Sequence, residues 1–263
     1  MMASFDSIYE EHYGRLFTLA FRMTGKKEDA EDVLQNAFLN AYKAFADFKH
    51  KSSFYTWLYR IVVNEAKRYL TYIQKMPVDS YADEQNISPQ RIFERINGFG
   101  EVEDEVMTRS ARETCLQLFM NCMAPKYRVV FTLRLILQFS VRDTADILEL
   151  SENSVKVNLH RARILIKELM EGRCSLINPN NPCKCGSWVK YAIDCNRQVI
   201  IKDITVIQYN ENRVAEEFKK EAEELLTICQ LYNTQIVPNS YELFKAKVKE
   251  LIKERRLKLL EVD

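Results

Sequence analysis

Three cysteines crowd one short stretch, Cys174, Cys183 and Cys185, and Cys195 follows ten residues later. Thiolates are strong ligands for soft ions, and four of them close a tetrahedral site. Cys183 and Cys185 form C-x-C in a Pro-flanked turn, which is not the paired C-x-x-C spacing of common zinc sites. Three readings stay open at this point. Cys174, Cys183, Cys185 and Cys195 hold zinc or another thiophilic metal; they form a thiol redox switch; or they are small apolar residues without chemistry. Cys115, Cys122 and Cys229 fall on apolar helix faces and read as core. The total of seven cysteines is odd, which suits reduced thiols or a metal site better than a closed disulfide framework.

A second constellation lies in "FKHKSSFYTWLYRIVVNEAKRYL". Phe48, Phe54, Tyr55, Trp57 and Tyr59 are interleaved with Lys49, Lys51, Arg60, Lys67 and Arg68. Aromatic faces stack on unpaired bases and cations hold phosphates, so this mixture suits a melted nucleic-acid strand. Leu58, Ile61 and Val62 within it read as core.

A third lies in "SVRDTADILELSENSVKVNLHRARILIKELM". Val141, Ala145 and Leu148 make one short helical stripe. Val155, Leu159, Ala162, Ile166 and Leu169 make the next, at steps of four, three, four and three. Glu149, Leu150 and Ser151 form the tight turn between them, with Ser151 a natural N-cap. Lys156, His160, Arg161 and Arg163 lie opposite the apolar side of the second helix. Two short helices around a three-residue turn, the second with a basic face, form a helix-turn-helix.

Helices must position all of this. The chain has 263 residues, enough for two or three small domains, and 47% of them are hydrophobic, so it can build cores. Six Gly and six Pro argue for long helices with few tight turns. Residues 4–23 carry an apolar stripe from Phe5 to Met23, ended by Gly25. "KKEDAEDVLQNAFLNAYKAF" starts a second helix with acids in its first turns, where the dipole favours them. Its buried stripe is Ala30, Val33, Leu34, Ala37, Ala41 and Phe45. Asp32, Gln35, Asn36 and Lys43 fall on another face, near an exposed Phe38 or Tyr42. Residues 74–110 mix turn formers, glycines and acids and read as a flexible connector. Pro125 opens a further helix at a first-turn position. After residue 174, "RQVIIKDITVIQY" reads as β, with a hairpin around Lys202–Asp203, and two amphipathic helical stretches follow it. Lys+Arg 38 against Asp+Glu 37 leaves a net charge of +1, so any nucleic-acid surface is local.

"DAEDVLQNAFLNAYKAF" followed by "FYTWLYRIVVNEAKR" resembles the N-terminal domain of bacterial RNA polymerase sigma factors of the extracytoplasmic-function (ECF) group. "SENSVKVNLHRAR" is similar to the domain of the same group that reads the −35 element. The resemblance covers roughly residues 5–172. It implies that Asp32, Gln35, Asn36, Phe38 and Tyr42 face core RNA polymerase. It implies that Lys51, Ser52, Ser53, Phe54, Trp57, Arg60, Asn64 and Lys67 capture the −10 element as it melts; unstacking a base costs a few kcal/mol, which a receiving pocket must offset. It implies that Asn153, Ser154, Lys156, Val157, His160, Arg161 and Arg163 meet the −35 major groove or its phosphates. Three positions depart from the family's pattern: Glu149 stands where the turn often has Gly, and Val157 and Asn158 stand where small polar and basic residues are common. A good side-chain–base pair discriminates by about 1–3 kcal/mol, so such changes can retarget the preferred bases.

The expected architecture is mainly α: two helical domains joined by a flexible linker, the second a helix-turn-helix, plus a small α+β C-terminal extension. The boundaries are 1–73 for polymerase and the −10 element, 74–110 for the linker, 111–173 for the −35 element and 174–263 for an extension. The expected partners are core RNA polymerase, promoter DNA and an anti-sigma factor. An enzyme is not expected, because the only histidines are His12, His50 and His160 and no acid–base constellation surrounds the cysteines. No signal peptide opens the sequence and no run of eighteen apolar residues exists, so a cytoplasmic protein without membrane insertion is expected. The alternative is a helix-turn-helix regulator with a metal- or redox-sensing tail.

Overall fold

A computed structural model describes residues 5–45, 48, 53–70, 72–73, 75–196, 204–208 and 223–238, together with 242 and 246. It is mainly helical. Helix α1 (Phe5–Thr24) packs on α2 (Lys27–Ala44), and both pack on α3 (Phe54–Ala66). Leu16, Ala20, Val33, Leu34, Ala37, Leu58 and Val62 interlock between them with no solvent exposure. Gly25 takes φ +81 between α1 and α2, and a Cβ there would lie 2.7 Å from the Asn121 side chain, so glycine is required twice over.

The stretch expected as a flexible connector holds two ordered helices, α4 (Pro77–Gln85) and α5 (Pro89–Asn97). The residues read as turn formers are helix starts. Pro77 and Pro89 open the helices, and the Ser88 hydroxyl caps α5 by accepting from the Arg91 amide at 3.4 Å. Val78, Ala82, Ile92, Phe93 and Ile96 are buried and tie the segment to the common core.

Helix α6 (Glu105–Asn121) starts at an Asp104 cap and leads to α7 (Pro125–Phe131), which continues as a π-helical stretch over Thr132–Ile136. Then follow α8 (Val141–Leu148) and α9 (Glu152–Met170). Buried polar groups join the two halves. Arg22 donates to Glu113 at 2.8 Å and to Gln117 at 3.2 Å, and Arg128 donates to the carbonyls of Met23, Asn121 and Met123.

Within the extension, α10 (Cys185–Asp194) lies on α5 and α6. Strand β1 (Ile204–Gln208) pairs antiparallel with β2 (Thr234–Pro238), after α11 (Glu223–Leu231). Among the described residues β1's partner lies some thirty residues on, across α11. The expected hairpin at Lys202–Asp203 lies outside the described residues, as do most of the final amphipathic stretch and part of the one before it. β2 is seated on α1, where the Ile236 amide donates to the Thr18 hydroxyl at 2.9 Å. Gly14 allows this approach, since a Cβ there would collide with the Gln235 side chain.

Candidate nucleic-acid interface

The α3 surface is built from a local rule. The Ser53 hydroxyl caps the helix by accepting from the Thr56 amide at 3.1 Å, which fixes where the helix begins. Ser53, Trp57, Arg60, Asn64 and Lys67 then recur at steps of four, three, four and three, so they share one stripe. Asn64 and Lys67 are exposed and paired, Lys67 Nζ donating to Asn64 Oδ1 at 2.8 Å. Phe48, Phe54 and Trp57 form a half-buried aromatic cluster. The Phe48 and Trp57 centroids are 5.0 Å apart and those of Phe54 and Trp57 are 5.4 Å apart. Lys51 and Ser52 lie outside the described residues.

Arg60 is already engaged. Its guanidinium donates to the Asp146 carbonyl of α8 and lies 3.4 Å from the Glu149 carboxylate. Beside it Tyr59 meets Phe139 edge-on at 4.6 Å. Helix α3 and the helix-turn-helix are thus docked on each other.

On α2, Asp32 is exposed and Gln35, Asn36 and Tyr42 are half-buried. Phe38 is not on that surface: it is 1% exposed, and its ring stacks beside Tyr42 at 6.2 Å. It sits one step from Ala37 and three from Ala41, two core residues, and its large ring follows them inward.

The helix-turn-helix folds as its pattern requires. The Ser140 hydroxyl caps α8 and the Ser151 hydroxyl caps α9, accepting from Asp143 and Ser154 amides at 2.9 and 3.2 Å. Glu149 takes φ +56 in the turn, the left-handed conformation that favours glycine. Val155, Leu159, Ala162, Ile166 and Met170 are buried. Asn153, Lys156, Val157, His160 and Arg161 are exposed along the other side, and Ser154 and Arg163 are half-buried beside them. Val157 is 42% exposed, an apolar group offered to solvent beside the polar residues of that face. Tyr127 was not anticipated. Its hydroxyl accepts from Arg161 at 3.3 Å, which pulls the phenol below its usual range. Nothing in its local sequence singles it out, because the contact joins residues 34 positions apart.

The cysteines divide. Cys174 and Cys183 are backbone partners in a parallel bridge, and Cys183 Sγ accepts from Trp188 Nε1 at 3.2 Å. Asn97 bonds the Pro182 carbonyl, Arg173 pairs with Asp79 and Lys184 with Glu101, so this loop is docked on the α4–α5 segment. Cys195 is exposed at the far end of α10 from Cys185. Ten helical residues span roughly 15 Å, too far for one ion to bind both ends. The expected set of Cys174, Cys183, Cys185 and Cys195 is therefore not brought together. Among the described residues, no group of three or more His, Cys, Asp or Glu is placed to hold a metal ion. Cys115 of α6 instead joins Cys174, Cys183 and Cys185 along one cavity.

Among the described residues no helix is long and apolar enough to cross a membrane. Comparison with known proteins places both segments in one family. Residues 8–75 match Sigma-70 region 2 and residues 113–166 match Sigma-70, region 4. The RNA polymerase sigma-H factor of Pseudomonas aeruginosa is 28% identical over 170 residues, 64% of this chain and 86% of that one. The ECF RNA polymerase sigma factor SigW of Bacillus subtilis is 29% identical over 168 residues, 63% of this chain and 88% of that one. The ECF RNA polymerase sigma-E factor of Escherichia coli K12 is 30% identical over 135 residues, 51% of this chain and 70% of that one. With an aromatic-basic helix and a helix-turn-helix placed in the two matched regions, the chain belongs to the ECF group of RNA polymerase sigma factors, which bind core polymerase and direct it to promoters.

Proposed function

We propose that this sigma factor divides its work among three faces. Asp32, Gln35, Asn36 and Tyr42 of α2 contact core RNA polymerase. Ser53, Phe54, Trp57, Arg60, Asn64 and Lys67, with Lys51 and Ser52 ahead of them, capture the melted −10 strand. Asn153, Ser154, Lys156, Val157, His160, Arg161 and Arg163 meet the −35 duplex. The observation that carries this reading is the single stripe from Trp57 to Lys67, which joins aromatic and cationic groups on one helix face. Phosphate contacts by Lys156, Arg161 and Arg163 hold register, and the residues nearest the start of α9 read bases.

The chain itself carries out no covalent chemistry on this reading and acts in the cytoplasm, where the polymerase is. An anti-sigma factor that covers these faces would silence it. Run-off transcription with core polymerase on a promoter library tests the proposal. Core-dependent transcripts from promoters sharing a −35 and a −10 sequence are expected. DNA binding that needs no polymerase, with no transcripts, would leave a plain helix-turn-helix regulator.

A further inference from the structure

A cavity of about 580 Å³ lies between α6, the starts of α4 and α10, and the loop after α9. That volume is within the range of small-molecule sites, roughly 300–1,000 Å³, and such sites are mostly apolar with a few placed polar groups. Phe93, Phe119, Leu176 and Trp188 give the wall its apolar area. Cys115, Cys174, Cys183 and Cys185 complete it. Burial pushes Cys183 up to about 11 and Cys185 up to about 12, and holds Cys115 well above the usual thiol range. At neutral pH these groups are uncharged thiols. They are poor nucleophiles and behave as small apolar surface.

Two cations line the same space, Arg112 and Arg173. Arg173 is neutralised by Asp79 at 3.0 Å. Arg112 is half-buried and makes no hydrogen bond or ion pair among the described residues. An apolar chamber with one guanidinium that is unpaired among the described residues on its wall selects a particular chemistry.

We propose that this cavity is a binding site for an amphipathic small molecule, an apolar chain ending in a single carboxylate that Arg112 receives. The guanidinium fork matches a carboxylate with two parallel bonds. The chain would fill the space between Phe93, Phe119 and Trp188. Because the wall is shared by the α4–α5 segment, α6 and the Cys-rich loop, the ligand would fasten the extension to the linker and to the end of α9.

Calorimetric titration of the full-length reduced protein with decanoate and with decanol tests this. The wild type should bind both and decanoate more tightly. Arg112→Ala should weaken decanoate by roughly tenfold to a hundredfold, the worth of a charged hydrogen bond, and leave decanol unchanged. Ala111→Phe, which fills the chamber, should weaken both. If that variant does not fold, the decanoate-to-decanol comparison in Arg112→Ala still decides. No binding of either probe by the wild type, or equal weakening of both in Arg112→Ala, would overturn the proposal. A stoichiometric zinc ion on the thiols together with no decanoate binding would also overturn it and put a metal there instead.

Discussion

The Arg60 guanidinium on α3 and the Glu149 carboxylate in the helix-turn-helix turn lie 3.4 Å apart. Glu149 is the residue that replaces the turn's common glycine, and it holds a left-handed backbone to do so. The departure from the family's pattern thus has a partner in the fold. The −10 and −35 elements are named for positions about 25 base pairs apart, roughly 85 Å of duplex at 3.4 Å per step. Helices α3 and α8 touch, so the docked arrangement must open before both elements are reached. Glu149 is largely exposed and Arg60 partly so, and the pair contributes at most about 1 kcal/mol, a factor of about five in any equilibrium. Glu149→Gln is therefore expected to raise core-dependent promoter opening by up to about fivefold, and Arg60→Ala to lower it, since Arg60 is also proposed to meet the melted strand. Quantitative run-off assays check both signs; a fall in Glu149→Gln would give Glu149 a role in recognition itself.

Trp57 sits against Phe48 and Phe54 with part of its ring accessible. A stacking platform acts only after bases unpair. Trp57→Ala should leave closed-complex affinity within about twofold while opening falls by roughly tenfold, the worth of one base–aromatic stack. Permanganate reactivity of promoter thymines reads the opening step. Normal reactivity in a folded variant would remove Trp57 from the melting surface.

Lys156 and Arg161 are exposed on the same side of α9, and Arg161 is steadied by the Tyr127 hydroxyl. If either is a phosphate contact, its alanine variant loses affinity on every sequence and the salt slope falls by about one; if it reads a base, specificity relaxes at one position. Titrations on matched and scrambled −35 duplexes at two salt concentrations separate the two. Tyr127→Phe should lower affinity less than Arg161→Ala does, because the guanidinium remains.

Periodicity made α1, α2, α3 and the helix-turn-helix legible, because their apolar residues recur every three or four positions and their caps are local. The α4–α5 segment was not legible, since Pro77, Ser88 and Pro89 look alike as turn formers and as helix starts. Only the burial of Ile92, Phe93 and Ile96 decides between them. Phe38 misled because it borders both stripes of α2. Cys195 misled because spacing along the chain hides the length of α10. The meeting of Cys115 with Cys174, and of Arg60 with Glu149, is tertiary and leaves no mark in either local pattern.

Arg22 and Glu113 form a buried pair at 2.8 Å that joins α1 to α6, and Gln117 and Thr234 also accept from the guanidinium. Removing one charge strands the other away from water. Glu113→Gln should cost about 3–5 kcal/mol, whereas a paired apolar replacement of both residues should cost far less. Urea denaturation of the two variants compares them. Near-equal losses would mean that packing, not the stranded cation, sets the penalty.

The last prediction concerns the thiols of the docked loop. Burial raises Cys183 to about 11 and Cys185 to about 12, against an ordinary value of 9.0. A raised thiol pKa means that the folded state keeps its proton longer than the unfolded one. Below about pH 9 both states are protonated and the contribution is intact. Above it the unfolded chain loses protons first, so stability falls as pH rises toward the folded values, by up to about 1.4 kcal/mol per pH unit for each group. Urea unfolding at about pH 8 and about pH 10 should therefore show a steeper loss in the wild type than in Cys183→Ser/Cys185→Ser. The same burial predicts slow alkylation. At neutral pH iodoacetamide should label exposed Cys195 well before Cys183, with mass mapping of the modified peptides as the readout. Equal rates at Cys183 and Cys195 would mean that the loop opens freely and that its docking on α4–α6 does not shield the thiols.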